Sequence, residues 1–249
     1  MTYTITALKA LQDNYIWVIH NEKNAIVVDP TLADPVRKFL DENQLALSAI
    51  ILTHGHQDHI GGVAELVQQF NPEVIDNFCD QLQDGQEIVI GDFPAIKVFL
   101  TPGHVYEHVC YLLDGKHLFC GDTLFSLGCG RVFTGDYQVM YQSLAKLKQL
   151  PPEVKCYPAH EYTRTNLNFT LGLDNKNVEY YADLVTDINY KLATVGNSLP
   201  TTIGIELKYN LFLRDNEETL WQLIANHANA DVNNGFDYFY NLRLIRNSF

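Results

Sequence analysis

Short apolar runs separated by polar turns occupy the first 160 residues and predict a β-rich fold. The pattern predicts strands at residues 3–8, 15–20, 25–29, 48–52, 73–75, 87–90, 95–100, 109–113, 117–120 and 154–157. Asp114-Gly115 lies between two of these runs and is typical of a hairpin turn. The order of these runs therefore indicates one or more sheets before about residue 160.

Apolar residues recur with a helical period in several other segments. Asp34-Pro35 predicts an N-cap followed by the first helical residue, ahead of the apolar stripe Val36, Phe39 and Leu40. Other helices are predicted at residues 63–70, 137–150, 175–194, 216–229 and from 231 on. Strand patterns stop near residue 160. The mixture suits two packed sheets with helices outside, although this pattern alone also fits other α/β arrangements.

The length and composition are those of a globular enzyme. The 249 residues suit one large domain or a domain plus a smaller one, with 47% hydrophobic and 19% charged residues. No apolar run approaches the roughly 20 residues that span a bilayer. Residues 1–10 lack a basic region followed by an apolar core, so we expect no secretory signal and a cytoplasmic protein.

The cysteines favour reduced thiols over a disulfide framework. Their number is odd, and no C-x-x-C spacing occurs among Cys79, Cys110, Cys120, Cys129 and Cys156. Three of them, Cys110, Cys120 and Cys156, lie in apolar strand-like runs and are expected to be core residues.

The net charge of −13 restricts the partners of this chain. No basic stripe of the kind that binds nucleic acid is visible, so we expect no nucleic-acid partner. An anionic small substrate would be repelled at long range, and its binding would require a local cluster of basic residues.

A dense set of metal-ligating side chains follows the predicted strand at 48–52. His54, His56, Asp58 and His59 place three imidazoles and one carboxylate within six positions. Imidazole suits zinc and iron, and a carboxylate extends the choice to manganese. In extended backbone His54 and His56 point to the same side, and Asp58 and His59 follow where glycines 61 and 62 permit a bend. One pair can therefore face one metal ion and the next pair a second.

The pattern H-x-H-x-D-H after a strand resembles the metallo-β-lactamase superfamily. Three further stretches carry the resemblance: T-P-G-H ending at His104, G-D-T-L-F with Asp122, and His160 after the strand at 154–157. The resemblance implies an α/β fold, a four-layer αββα sandwich. It also implies that Asp122 bridges two metal ions, which are otherwise bound by His54, His56 and His104 and by Asp58, His59 and His160.

His108 lies four residues after His104 and competes with it as a ligand. The T-P-G-H motif favours His104 and leaves His108 as a supporting or core residue. His20, His117 and His227 have no ligand context and are expected to be structural.

Within that superfamily, three stretches resemble the glyoxalase II (hydroxyacylglutathione hydrolase) family. They are residues 128–133, 160–169 and 241–249, and Asp13-Asn14-Tyr15 also fits. The resemblance implies a catalytic domain at residues 1–162 and a small C-terminal α-helical domain, residues 163–249, that binds glutathione.

The same resemblance supplies the missing basic cluster. It implies that Arg131, Arg243 and Arg246 bind the glycine carboxylate of glutathione, which arginine suits through its paired donors. Tyr162 is expected to donate a hydrogen bond to glutathione. Phe133 departs from the family pattern, in which tyrosine is frequent, so one hydrogen bond is lost or replaced by packing.

The implied activity is hydrolysis of S-(2-hydroxyacyl)glutathione by a monomer. Its substrate in methylglyoxal detoxification is S-D-lactoylglutathione, cleaved to glutathione and D-lactate. Two divalent ions, zinc favoured over iron or manganese, would hold the attacking hydroxide. Asp58 and Asp122 are the catalytic residues in this interpretation.

The nearest alternative is a glutathione persulfide dioxygenase with a single iron. The complete second ligand set and the basic C-terminal helix argue against it. A β-lactamase would be exported, a nuclease would be less acidic, and a flavodiiron protein would carry a flavin domain. A metal-stabilised binding protein without turnover would not require all seven ligands.

Overall fold

Two β-sheets packed face to face form the centre of the molecule. The structure is a computed structural model that describes residues 2–78 and 81–249. The first sheet has the order β1-β2-β3-β4-β5, with antiparallel pairing up to β3 and parallel pairing beyond it. Its strands are β1 (Thr4–Ala10), β2 (Asn14–His20), β3 (Asn24–Val28), β4 (Ala46–Ile51) and β5 (Glu73–Ile75).

The second sheet has six strands in the order β13-β12-β9-β8-β7-β6. The pair β9 and β12 is parallel and the other neighbours are antiparallel. Its strands are β6 (Glu87–Ile88), β7 (Ile96–Leu100), β8 (Val109–Leu113), β9 (His117–Gly121), β12 (Lys155–Pro158) and β13 (Thr201–Thr202). A separate two-stranded ribbon joins β10 (Leu124–Phe125) to β11 (Gly128–Cys129).

Helices cover both outer faces of the sheets. They are α1 (Ala33–Asn43), α2 (Gln57–Ile60), α3 (Val63–Phe70), α4 (Tyr137–Leu147), α5 (Thr163–Leu173), α6 (Ala182–Thr194), α7 (Ile203–Tyr209), α8 (Glu218–Ala228) and α9 (Gly235–Ser248). The first sheet packs on α1 and α3, and the second on α4 and the C-terminal helices. The predicted αββα sandwich with a helical C-terminal part is therefore confirmed.

Alternation along the strands divides the apolar residues among the layers. Trp17 and Ile19 of β2 face the core between the sheets, whereas Ile16 and Val18 face α1 and α3. This follows from the period of two in extended backbone. The Trp17 indole donates a buried hydrogen bond of 2.8 Å to the Pro158 carbonyl and ties the two sheets together.

The C-terminal helices share one core with the second sheet. Phe169 of α5, Ile224 of α8 and Leu242 of α9 are buried in the same cluster as Cys110 and Leu144. The expectation that strands stop near residue 160 was wrong in one place. The two residues of β13 add an edge to β12, a pairing too short for any periodicity to reveal.

Local details differ from the sequence expectations at helix ends. The N-cap of α1 is Leu32, so Asp34 lies in the first turn and the predicted Asp34-Pro35 cap was wrong. The predicted helix at 137–150 ends at Leu147. The Asp136 carboxylate caps it by accepting from the Val139 N–H.

Cys110, Cys120 and Cys156 are buried as expected, and Cys129, for which no core position was predicted, is buried too. In the part of the chain that the structure describes, four free cysteines are buried: Cys110, Cys120, Cys129 and Cys156. Cys79 lies outside the described residues. No helix among those described is both long and apolar enough to cross a bilayer.

Candidate metal centre

The histidine-rich segment leaves β4 in extended backbone and then forms one turn of helix. His56 is extended at the N-cap of α2, with φ −67° and ψ 146°. The expected bend after it does not depend on left-handed backbone, because Gly61 has φ −56°. Instead the two glycines allow close packing: a Cβ on Gly61 would lie 2.5 Å from the Thr31 carbonyl oxygen, and one on Gly62 2.7 Å from that of Pro30.

Three other predicted ligands follow strands of the second sheet. His104 follows β7, Asp122 follows β9 and His160 follows β12. These strands run in the same direction, since β12 is parallel to β9 and both β7 and β9 are antiparallel to β8. Their carboxyl ends therefore meet at one edge, where loops on a rigid sheet place functional side chains.

The first predicted ligand set converges on one point. His56 Nδ1 lies 3.0 Å from His54 Nε2 and 3.0 Å from His104 Nε2. Three histidine nitrogens that all lie within 4.8 Å of one another are suited to a single cation placed among them.

The second set converges on a neighbouring point. Asp58 Oδ2 lies 3.8 Å from His59 Nε2 and 3.5 Å from His160 Nε2. In each set, one ligand atom per residue lies within 4.8 Å of the others.

The Asp122 carboxylate faces both sets with different oxygens. Oδ2 lies 3.5 Å from His104 Nε2, and Oδ1 lies 3.5 Å from both His59 Nε2 and His160 Nε2. This is the arrangement that a carboxylate shared by two cations requires.

Two buried polar atoms at this point lack a hydrogen-bond partner among the described residues. They are His59 Nε2 and Asp122 Oδ1. An unsatisfied buried polar atom costs about 1–3 kcal/mol, more when it is charged. A cation coordinated by both atoms would remove that cost, so the residues present fit a divalent metal ion.

The other ring nitrogens are held by groups that turn Nε2 towards the centre. His59 Nδ1 lies 3.0 Å from Asp29 Oδ2, and His160 Nδ1 lies 2.7 Å from Asp13 Oδ1. His104 Nδ1 lies 2.9 Å from the Arg131 carbonyl oxygen. Such partners set the tautomer and orientation of metal-binding imidazoles.

Sequence reasoning missed the supporting role of Asp29 and Asp13. The strand pattern at residues 25–29 identifies Asp29 only as the end of a strand, and its left-handed φ of 48° is not visible in the sequence. Asp13 is part of the Asp13-Asn14-Tyr15 motif, for which the sequence predicts no function. A carboxylate at a strand end is a weak signal without a known spatial partner.

The electrostatics of the centre favour a cation. Burial and neighbouring imidazoles lower the pKa of His54, and burial also lowers that of His104. Burial opposes the charge on His59, but Asp122 and Asp29 outweigh it and raise its pKa to about 9. Positive charge is thus stabilised between the carboxylates.

Three of the predicted glutathione-binding residues border the ligands. Phe133 is 59% exposed, and its ring meets those of His56 and His104 edge-on at 5.6 and 5.1 Å. Tyr162 stacks on the His160 ring at 4.7 Å. The Arg131 guanidinium carbon lies 5.8 Å from the centre of the Phe133 ring.

The two arginines of α9 differ in their surroundings. Arg243 is only 5% exposed, its Nη1 donates to the Cys129 carbonyl at 2.9 Å, and its Nε has no partner among the described residues. Arg246 is partly buried and donates to Asn166 Oδ1 at 3.3 Å. Arg243 Nη1 also donates to the Gly130 carbonyl at 3.5 Å, so Arg243 holds the segment that leads into Arg131. Burial lowers the pKa of the Arg246 guanidinium most, and the charges of Arg243 and Arg131 lower it further.

The remaining histidines lie outside the ligand sets. His108 is fully buried beside His54, and its ring bonds to Thr101, Asp122 and Thr123. His20 pairs with Thr6, His117 with Tyr157, and His227 with the Leu223 carbonyl.

Known proteins match this chain in sequence pattern and in fold. The sequence pattern of the metallo-beta-lactamase superfamily matches residues 11–77 and 71–160, and that of the hydroxyacylglutathione hydrolase C-terminus matches residues 161–249. A solved metallo-beta-lactamase from Staphylococcus aureus superposes with a TM-score of 0.65 at 19% identity, over 98% of this chain and 71% of that one. ETHE1 from Myxococcus xanthus superposes with a TM-score of 0.64 at 24% identity, over 86% and 84%. These structures support the fold.

Sequence relatives are closer and cover nearly all of the chain. The hydroxyacylglutathione hydrolase of Vibrio cholerae is 42% identical over 91% of this chain and 92% of its own length. That of Neisseria meningitidis is 39% identical over 98% and 99%. With both patterns matched and this identity sustained from end to end, the chain belongs to the hydroxyacylglutathione hydrolase (glyoxalase II) family of the metallo-β-lactamase superfamily.

Proposed function

We propose that this chain hydrolyses S-(2-hydroxyacyl)glutathione, with S-D-lactoylglutathione as its substrate and two divalent ions, zinc favoured, as cofactors. The observation that carries the proposal is the position of Asp122, whose two oxygens face two separate ligand sets at 3.5 Å. His54, His56 and His104 would hold one ion, and Asp58, His59 and His160 the other.

When bound, two such ions lower the pKa of a water molecule and polarise the thioester carbonyl. The side chains of the chain supply orientation. Asp29, Asp13 and the Arg131 carbonyl lie at hydrogen-bond distance from the outer nitrogens of three histidines, so each inner nitrogen would offer its lone pair once an ion replaces any proton there. Asp58 is the more exposed of the two acidic ligands, at 42% of its side chain against 11% for Asp122, so its carboxylate would be the one nearer to the attacking water.

The leaving group needs no strong acid. A glutathione thiolate corresponds to a thiol with a pKa of about 8.5, so it departs as an anion near neutral pH. Tyr162 stays protonated, because burial raises the pKa of its phenol well above the usual range. It serves as a hydrogen-bond donor to the bound glutathione.

Substrate binding depends on a local basic cluster in an acidic chain. Arg131 and Arg246 offer guanidinium groups to the glycine carboxylate. Arg243 holds the loop that carries Arg131 and contributes its own charge. Phe133 provides an apolar wall beside His56 and His104. The proposed domains are a catalytic domain, residues 1–162, and a glutathione-binding domain, residues 163–249.

We further propose a monomeric, cytoplasmic enzyme. The cytoplasmic location is supported by the buried, unpaired thiols of the described residues, which suit a reducing compartment.

Release of glutathione from S-D-lactoylglutathione, before and after a chelator, tests the function. We expect chelator-sensitive release and two metal ions per chain by elemental analysis. Asp122→Ala should lose metal and activity together, whereas the exposed control His227→Ala should keep both. Normal turnover by Asp122→Ala with two ions bound would overturn the assignment. Oxygen uptake with glutathione persulfide would identify the dioxygenase instead.

A further inference from the structure

His108 is a buried histidine beneath the centre that the proposed mechanism does not use. It is 0% exposed, and its ring stacks on that of His54 at 5.0 Å and 25°. Its Nε2 lies 3.1 Å from the backbone nitrogen of Asp122. On its other side, Nδ1 lies 3.0 Å from Thr101 Oγ1 and 3.1 Å from Thr123 Oγ1.

These contacts define the tautomer of His108. The Asp122 backbone N–H can only donate, so Nε2 must carry a lone pair and accept. The proton of the neutral ring therefore lies on Nδ1, where two threonine hydroxyls can accept it. Burial holds the pKa of His108 well below its usual range, which agrees with a neutral ring.

The backbone at Asp122 has left the sheet and needs this acceptor. Gly121 turns the chain with a left-handed φ of 47°, so the next N–H no longer faces a neighbouring strand. The flanking carbonyls are held, since Gly121 accepts from the Ala159 N–H and Thr123 from the Gly130 N–H. A buried backbone N–H without an acceptor is costly, and among the described residues His108 is the acceptor for Asp122.

Two glycines leave the space that this contact requires. A Cβ on Gly121 would lie 2.8 Å from His108 Nε2, besides the strain of its positive φ. A Cβ on Gly130 would lie 1.8 Å from the Asp122 carbonyl oxygen. The peptide of Asp122 is therefore enclosed on both sides.

We propose that His108 is a positioning residue whose Nε2 holds the backbone of Asp122, so that both carboxylate oxygens reach the two ligand sets at once. The inference rests on the proposed two-ion centre. A rotation of this peptide would move Oδ1 and Oδ2 together, so the 3.5 Å approaches to His59 and His160 on one side and to His104 on the other would not all be kept.

Two substitutions separate this role from simple packing. His108→Gln places a side-chain oxygen near the former Nε2 and keeps an acceptor for Asp122. His108→Asn keeps a polar group near the former Nδ1 and removes that acceptor. Each chain is loaded with two equivalents of Mn²⁺, and electron paramagnetic resonance measures the share of spin-coupled ion pairs. This readout uses no substrate, so it is independent of whether the glutathione thioester is hydrolysed.

We expect the unmodified chain and His108→Gln to show coupled pairs. His108→Asn should lose most of the coupling and bind the weaker ion about 10–100-fold less tightly, the usual effect of removing such a support. Coupling retained in His108→Asn, or lost equally in both variants, would overturn the proposal.

A measurement on the unmodified zinc-loaded chain keeps the inference testable if His108→Asn does not fold. Nitrogen-15 nuclear magnetic resonance of the histidine rings should show His108 protonated on Nδ1 with Nε2 unprotonated. A proton on Nε2 would exclude the bond to Asp122 and the proposed role.

Discussion

Replacing Asp29 by asparagine should weaken metal binding through the tautomer of a single histidine. The buried Asp29 carboxylate accepts from the Thr53 N–H at 2.8 Å and the Thr53 hydroxyl at 2.6 Å, and it lies 3.0 Å from His59 Nδ1. In Asp29→Asn, an oxygen can stay opposite the Thr53 N–H, but the new amide then faces His59. That amide donates to Nδ1 and places the proton on Nε2, the nitrogen that should bind the ion.

The magnitude follows from the bond that must be lost. Binding the ion requires His59 to return its proton to Nδ1, which then faces the amide N–H with no bond between them. A buried donor left without a partner costs about 1–3 kcal/mol. At about 1.4 kcal/mol per tenfold change, we expect roughly 10–100-fold weaker binding of the ion held by His59.

Competition with a chromogenic chelator, titrated with zinc, measures this affinity directly. Asp34→Asn makes the same chemical change at a side chain that is 88% exposed and should bind zinc as the unmodified chain does. An Asp29→Asn chain with unchanged affinity for both ions would refute the reasoning that Asp29 sets the tautomer of His59.

Other predictions concern stability and substrate binding. Glu206 is fully buried, and desolvation raises its pKa to about 7. Because its folded pKa exceeds the unfolded one, its contribution to stability is complete below about pH 4.5 and is lost as pH rises to about 7. In denaturant titrations, the free energy of unfolding of the unmodified chain should fall by about 3 kcal/mol more than that of Glu206→Gln between about pH 4.5 and 7. The same pH dependence in both chains would contradict this prediction. Arg246→Ala should raise KM for S-D-lactoylglutathione about tenfold or more with little change in kcat. The exposed control Arg164→Ala should leave KM unchanged. If Arg246→Ala has the same KM as the unmodified chain, Arg246 does not bind the substrate. Phe133→Tyr adds a hydroxyl at the glutathione site and should lower KM several-fold, an effect absent if Phe133 acts only through packing.

Individual strands and turns could be predicted where the local sequence pattern was clear. Strands such as β2 and β8 are nearly continuous buried apolar runs, which neighbouring residues along the chain are enough to reveal. The hairpin at Asp114-Gly115 was predicted because its turn chemistry is local, and both residues adopt positive φ. The αββα layering came from the family resemblance, since periodicity does not say which sheets face each other.

What the sequence determined about the site is its ligand chemistry. Three imidazoles and a carboxylate at residues 54–59 are held close by the covalent chain, so their convergence needs little long-range information. His104, Asp122 and His160 were found through motifs at strand ends, and the structure brings them to the same centre. Their roles as metal ligands stay predictions, which elemental analysis of the chain and of Asp122→Ala tests.

Only the tertiary structure decided how those ligands are oriented. Asp13 supports His160 across 147 residues of sequence and Asp29 supports His59 across 30, separations at which no spacing rule operates. The bond from the Asp122 backbone to His108 likewise exists because β8 and β9 pair and Gly121 turns the chain out of the sheet. Ligand identity is a property of the side chains, but the direction of each lone pair depends on contacts that form only when distant strands pack together.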